Sequence, residues 1–231
     1  MLRFAVLLLV SAALVVAQGP EPQHPWHPKP PAAGASVETG ADWIDIMPDA
    51  SFKGWTRLPF MSKEPMSERS QWRVDNRVLI CEGDGGHEWL RWDRELGDFV
   101  FQAEWRFTKL PGEPRYNSGV LVRTSADGKL WHQAQAGASS GGFLFGDTLV
   151  AGAVKRVNLR KDGPTLVRPA GEWNSYELRA VGRNITLTVN GELASEFTEC
   201  EVRQGYIGLE AEGYRIEFRN LRVKPLVPKV E

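Results

Sequence analysis

The sequence predicts an all-β fold, a sandwich or barrel of short strands, on three observations. From Phe99 to Phe107 the residues alternate: Phe99, Phe101, Ala103, Trp105 and Phe107 share one face, and Val100, Gln102, Glu104 and Arg106 the other. Asn190-Gly191, set between two alternating runs, supplies the turn chemistry of a tight hairpin, where both central residues need positive φ. No amphipathic helical pattern exceeds a turn or two, and no repeat of fixed period occurs. Many short strands separated by turns give a sandwich or barrel. The chain has 231 residues, 42% of them hydrophobic and 25% charged, enough to build one β domain with a real core.

The strands follow in order. Asp49 to Trp55 leads into the first. Gln71 to Val74 and Arg77 to Glu82 flank a turn at Asp75-Asn76. Glu88 to Trp92 sets Trp89 and Arg91 opposite Leu90. The long run from Asp98 is joined through a connector with prolines and a glycine to Asn117-Ser118-Gly119. There a strand to Thr124 begins, and the two strands are expected to pair. Trp131 to Ala136 puts Trp131, Gln133 and Gln135 on one face and His132 on the reverse. Val154 to Lys161 is locally basic and reads as a solvated loop. Asn174 to Val181, Asn184 to Val189, Gly205 to Ala211 and Arg215 to Val223 complete the domain. The loop GASSGG after Ala136 lacks the Lys-Ser/Thr ending of a phosphate loop and no helix pattern follows, which excludes nucleotide binding of that kind.

The N-terminus carries a targeting signature. Arg3, an apolar run from Phe4 to Val16 and a small-residue Val15-Val16-Ala17 site read as a signal peptide over residues 1–17, so the protein is expected to be secreted or periplasmic. The run is short for a membrane span, and none is expected after cleavage. Residues 18–41 are proline-rich and read as a disordered spacer, its His24 and His27 as linker residues, leaving residues 42–231 as the folded domain. The net charge of −1 gives no basis for a nucleic-acid partner. Cys81 and Cys200 are the only cysteines. Export permits a disulfide, and two buried free thiols are the alternative. Asp84, His87, Glu88 and Asp93 offer metal donors, but no spacing selects one ion, so a divalent metal stays open.

A family resemblance rests on an ordered set of segments from about residue 50 to the end. They include Phe52-Lys53-Gly54-Trp55, Gly97-Asp98-Phe99, Glu104-Trp105-Arg106, Asn117-Ser118-Gly119-Val120 with Arg123, Gly142-Phe143-Leu144-Phe145-Gly146, Glu172-Trp173-Asn174 and Gly205-Tyr206-Ile207-Gly208-Leu209 with Phe218-Arg219-Asn220-Leu221. The set resembles the secreted 3-keto-disaccharide hydrolase family of bacteria. The resemblance implies a concanavalin A-like jelly-roll sandwich of two antiparallel sheets, and a carbohydrate substrate or ligand. Two departures stand out. Where the family has Glu-x-Gln this chain has Gln133-Ala134-Gln135, and where the family often has Leu-Gln and then His-Gly it has Leu209-Glu210-Ala211-Glu212-Gly213. A carboxylate is missing at 133 and one is present at 210.

In a jelly roll one sheet is concave and its outer face forms a groove. Glu104 and Glu210 leave the core by strand parity. Arg123, Asn117, Gln133 and Gln135 are polar groups available to the same groove, and Trp89 is a candidate stacking floor. A 3-keto sugar has an acidified C2 proton, so a base and an enolate stabiliser would cleave its glycosidic bond by elimination, with water adding afterwards. Glu104 is the expected base and Arg123 the expected stabiliser, with an ordinary cross-strand ion pair as the alternative. His132 is a candidate acid that parity turns away from Gln133. A non-catalytic carbohydrate-binding module and a two-carboxylate glycosidase using Glu104 and Glu210 are the other classes open.

Overall fold

The computed structural model describes residues 42–61, 65–113, 115–138 and 140–226, so the expected signal peptide and spacer lie outside the described residues. All regular elements among them are strands. They are β1 (Ile44–Asp45), β2 (Trp55–Pro59), β3 (Trp72–Asp75), β4 (Val78–Cys81) and β5 (Glu88–Trp92). There follow β6 (Phe99–Phe107), β7 (Ser118–Thr124), β8 (Trp131–Ala136), β9 (Leu144–Val150) and β10 (Ala153–Asn158). The last are β11 (Asn174–Val181), β12 (Asn184–Val189), β13 (Glu192–Phe197), β14 (Tyr206–Ala211) and β15 (Ile216–Pro225).

They form two antiparallel sheets. The back sheet runs β13-β12-β11-β6-β15-β4-β3, with β1 added alongside β15, and the front sheet runs β10-β9-β8-β7-β14-β5-β2. This is the expected jelly-roll sandwich. The expected pairing of β6 with β7 is corrected: the connector between them crosses from the back sheet to the front, so the two strands face each other across the core. The run read as a basic loop is also corrected. Residues Ala153–Asn158 form the edge strand β10 against β9. Because this edge is solvated on both faces, its residues show no alternation to read.

The β6 stripe is as the alternation requires: Phe99, Phe101, Ala103, Trp105 and Phe107 are all buried. Opposite them the front sheet contributes Leu90, Val120, Val122, Ala134, Ile207 and Leu209. The Trp105 ring meets Phe107 and Tyr176 edge-on, with ring centres 5.5 and 5.2 Å apart. Tyr176 then crosses the sandwich and donates its hydroxyl to the Gln135 carbonyl. At the β12–β13 turn Asn190 and Gly191 have φ of 50° and 88°, as the hairpin chemistry demands. The β3–β4 turn sits one residue later than expected, on Asn76 and Arg77 with φ of 47° and 60°.

Both cysteines are buried free thiols. Cys200 Sγ lies 3.3 Å from His132 Nε2, and Thr148 Oγ1 lies 2.7 Å from the same nitrogen. Burial, then the charge of Arg123, pushes His132 down to about 4. His132 is therefore neutral in the fold, whereas the unfolded chain protonates it near 6.5. The resulting stability is complete above pH 6.5 and is lost as pH falls from 6.5 toward 4, in total about 3 kcal/mol. Urea unfolding at pH 7 and pH 5 should show that decline, and His132→Gln should flatten it.

Candidate active site on the front sheet

The outer face of the front sheet is built by parity. β7 contributes Gly119 and Leu121, β8 contributes Trp131, Gln133 and Gln135, β14 contributes Gly208 and Glu210, and β5 contributes Trp89. Register sets Glu210 beside Trp89, and Leu121 beside Gln133. One end of this face is apolar. Phe60, from the segment after β2, closes over Trp89, Leu121 and Trp131, and all four are buried. Trp89 lies flat on Gly208, where an added Cβ would come 2.3 Å from its ring. Trp89 is therefore on the expected face but is packed beneath Phe60, and the expected stacking floor is corrected to part of the wall.

The other end is polar. Gln133 donates its Nε2 to Glu210 Oε2 at 2.7 Å and to Gln135 Oε1 at 3.2 Å. Because both partners are acceptors, the amide orientation is fixed. The bond spans from β8 to β14 over the intervening β7, a distance of two strand spacings. Only a glycine below permits it: a Cβ at Gly119 would meet Gln133 Nε2 at 2.2 Å. The other carboxylate oxygen, Glu210 Oε1, is 2.8 Å from His87 Nε2. His87 comes from the glycine-rich loop before β5 and stands edge-on to Phe60, with ring centres 5.4 Å apart. Past the end of β14, Glu212 accepts a hydrogen bond from Asn117 Nδ2, and Asn117 Oδ1 accepts one from Gln135 Nε2 at 2.6 Å.

The ligand atoms of His87, Glu210 and Glu212 all lie within 4.8 Å of one another. Burial alone would lower His87, but the hydrogen bond to Glu210 and the charges of Glu210 and Glu212 outweigh it, and the imidazole holds its proton more tightly than usual. Glu212 is raised, first by burial and then by the Glu210 charge. An imidazole and two carboxylates set this close, one carboxylate raised, can take up and release protons in turn.

The remaining expectations fall elsewhere. Glu104 does leave the core, but onto the outer face of the back sheet, where Arg219 Nε and Asn220 Nδ2 donate to it at 2.7 and 2.8 Å. Glu104 and Glu210 thus face away from each other on opposite sides of the sandwich, which removes the two-carboxylate glycosidase reading. Arg123 is buried. Its guanidinium pairs with Asp98 at 2.8 Å and donates to the carbonyls of Gly97, Gly182 and Val202. The cause is a bulge: β7 slips register against β14 between Leu121 and Thr124, and Arg123 takes φ of 45°. A bulge re-aims a side chain, so the alternation that assigns Arg123 to the groove ends one residue before it. Glu104 and Arg123 do not pair with each other.

Among the metal-donor candidates, Glu88 is buried against Arg57 and Trp72. Asp84 pairs with Arg69, and Asp93 with Arg91. Of these four, only His87 reaches the cluster with Glu210 and Glu212. The sequence offers His87 only as a metal donor beside Asp84, Glu88 and Asp93, not as a partner of Glu210, and it gives Glu212 no site role. His87 sits in a loop with no periodicity, and Glu212 lies beyond the last alternating residue.

A family model described as the 3-keto-alpha-glucoside-1,2-lyase-like domain matches residues 42–224. The chain belongs to this family. No curated protein matches it. Among solved structures, the carbohydrate-binding module CBM66 from Bacillus subtilis superposes with a TM-score of 0.56 at 15% identity, covering 78% of this chain and 98% of that one. A prokaryotic β-1,3-1,4-glucanase (lichenase) from a mouse hindgut metagenome gives 0.54 at 12% identity, covering 80% and 99%. A Bacillus subtilis protein of unknown function with a galectin-like fold gives 0.54 at 11%, covering 83% and 99%. At these identities the likeness is one of fold. With the family match, the chain is a glycoside-acting or carbohydrate-binding jelly roll.

Proposed function

We propose that the protein is an exported enzyme that cleaves the glycosidic bond of 3-keto-glycosides by elimination at the His87–Glu210–Glu212 cluster. Family membership supports the substrate class, and the single observation that carries the chemistry is the 2.8 Å contact of His87 with Glu210 beside Glu212. Residues 1–17 support export.

Glu210 accepts a hydrogen bond from the Nε2–H of neutral His87, which leaves Nδ1 as the basic nitrogen. Nδ1 removes the C2 proton, and the electron pair moves into a C2–C3 enolate. The imidazolium so formed lies beside the enolate charge. The enolate collapses, C3=O reforms, C1=C2 forms and the C1–O bond breaks. In the reacting state the proton shared by the cluster sits on Glu212 and not on His87, and Glu212, raised by burial, gives it to the departing oxygen. Water adding across C1=C2 restores the 3-keto sugar. Asn117 and Gln135 bind hydroxyls at the same end of the groove.

A test is aglycone release from a 3-keto-glucoside by the mature protein. Glu210→Gln should lower kcat/KM at least about a hundredfold, since it removes the group that orients the base. Turnover that survives both Glu210→Gln and His87→Gln would sink the mechanism. Loss of turnover in the presence of a chelator would add a divalent cation at the same three groups. Both oxygens of Glu210 are already engaged, which favours one second reading: a binding module without chemistry. It predicts saturable sugar binding and no release.

A further inference from the structure

One ligand-sized cavity lies away from the front-sheet cluster. It lies on the outer face of the back sheet, has a volume of about 460 Å³, and is lined from β1, β6, β11 and β15, with Trp43 at its rim. Small-molecule sites have about this size. We propose that this back groove is a second carbohydrate site, taking a neutral saccharide against Trp43. It does not rest on the reaction proposed above, because this cavity and the His87–Glu210–Glu212 cluster lie on opposite outer faces of the sandwich.

The groove exists because β15 is irregular. Its register against β6 shifts between Arg219 and Arg222, and Asn220 takes φ of 53°. The shift turns Leu221 into the core and sets Asn220 over Glu104. A bulge of this kind opens a sheet face and re-aims its side chains.

The chemistry of the lining then selects the ligand. Glu104 is neutralised by Arg219, and Asp45 by Arg77. Arg222 Nε donates to Gln102 Oε1 at 2.6 Å, and Gln102 Nε2 donates to Glu177 Oε2 at 2.6 Å. Charges matched in this way leave little field to draw an ion. What they present instead is a dense array of carboxylate, amide and guanidinium edges, both donors and acceptors. Beside them Trp43 is 38% exposed, an unusual exposure for a large apolar ring, and the Arg222 guanidinium lies 5.0 Å from its ring centre. An exposed indole next to a neutral array of donors and acceptors matches a sugar ring, which offers an apolar C–H face and a rim of hydroxyls.

Affinity electrophoresis of the mature protein through gels containing a β-1,3-1,4-glucan, a galactomannan or amylopectin tests this. The expected result is retardation by at least one of them. Trp43→Ala should bind it about tenfold more weakly, equivalent to about 1.4 kcal/mol, and Trp43→Phe should recover most of the loss. Glu210→Gln should be retarded like the wild type. If none of the three polymers retards the wild type, or if Trp43→Ala is retarded as strongly as the wild type, the proposal fails. Binding lost in Glu210→Gln but kept in Trp43→Ala would place the sugar on the front sheet and also overturn it.

Discussion

Arg123→Met is expected to lower the unfolding free energy by about 3–5 kcal/mol, the penalty of breaking a buried ion pair from one side. The guanidinium is fully buried. Its Nη1 reaches the carbonyls of Gly182 and Val202 at 2.7 and 3.3 Å, and its Nη2 reaches Asp98 at 2.8 Å. These partners belong to three separate loops, before β6, between β11 and β12, and before β14. Methionine fills much of the volume but leaves three carbonyls without this donor and takes a charged donor from Asp98. Asp98 Oδ1 also holds the Gly182 amide, so the loops loosen together. For a domain of this size the melting temperature should fall by about 10 °C. Lysine should rescue little, because a single ammonium lacks the planar fork that serves several acceptors at once. Glu104→Gln offers the contrast: its partners are partly exposed, so it should stay within about 1 kcal/mol of the wild type. Thermal unfolding followed by tryptophan fluorescence measures both. If Arg123→Met is as stable as Glu104→Gln, the structural role assigned to the guanidinium is wrong.

What the sequence made legible, and what it hid, separates along physical lines. Strand parity is local, so it gave the buried stripe of β6 and the outward faces of Trp89, Gln133 and Glu210. Parity does not say which sheet a strand joins. Glu104 leaves the core as expected, yet a sandwich has two outer faces and Glu104 lies on the wrong one for the groove. Adjacency in sequence misled in the same way, since β6 and β7 are consecutive but sit in different sheets. Parity also fails at a bulge, which is how Arg123 was placed in the groove when it anchors loops. Parity gives Trp89 the right face, but its exposure depends on Phe60, 29 positions earlier in the chain, and no local pattern signals that contact. His87 and Glu212 carry no period at all; only the folded topology brings a loop before β5 to the end of β14.

The two departures from the family pattern, a missing carboxylate at 133 and an extra one at 210, turn out to be hydrogen-bonded to each other at 2.7 Å. One carboxylate and one amide share a site that is closed to solvent, with Gln133 1% and Glu210 3% exposed. Gln133→Glu should therefore be severely destabilising at neutral pH, by about 3–5 kcal/mol, because it buries two facing carboxylates with no proton between them. The folded pair would bind a shared proton more tightly than the unfolded chain does, so the deficit should shrink as pH falls. Adding Glu210→Gln restores one carboxylate and one amide with the donor reversed, and should bring stability back to within about 1 kcal/mol of the wild type. Activity should not return with it. In the double variant His87 faces an amide where it had a carboxylate, and the charge that orients its ring has moved to β8. Denaturant unfolding of the two single variants and the double variant gives the coupling directly, and aglycone release by the same proteins separates folding from chemistry. Additive stability losses in that cycle would mean that the two positions do not exchange one charge. Recovered turnover in the double variant would mean that His87 does not need Glu210 for its role.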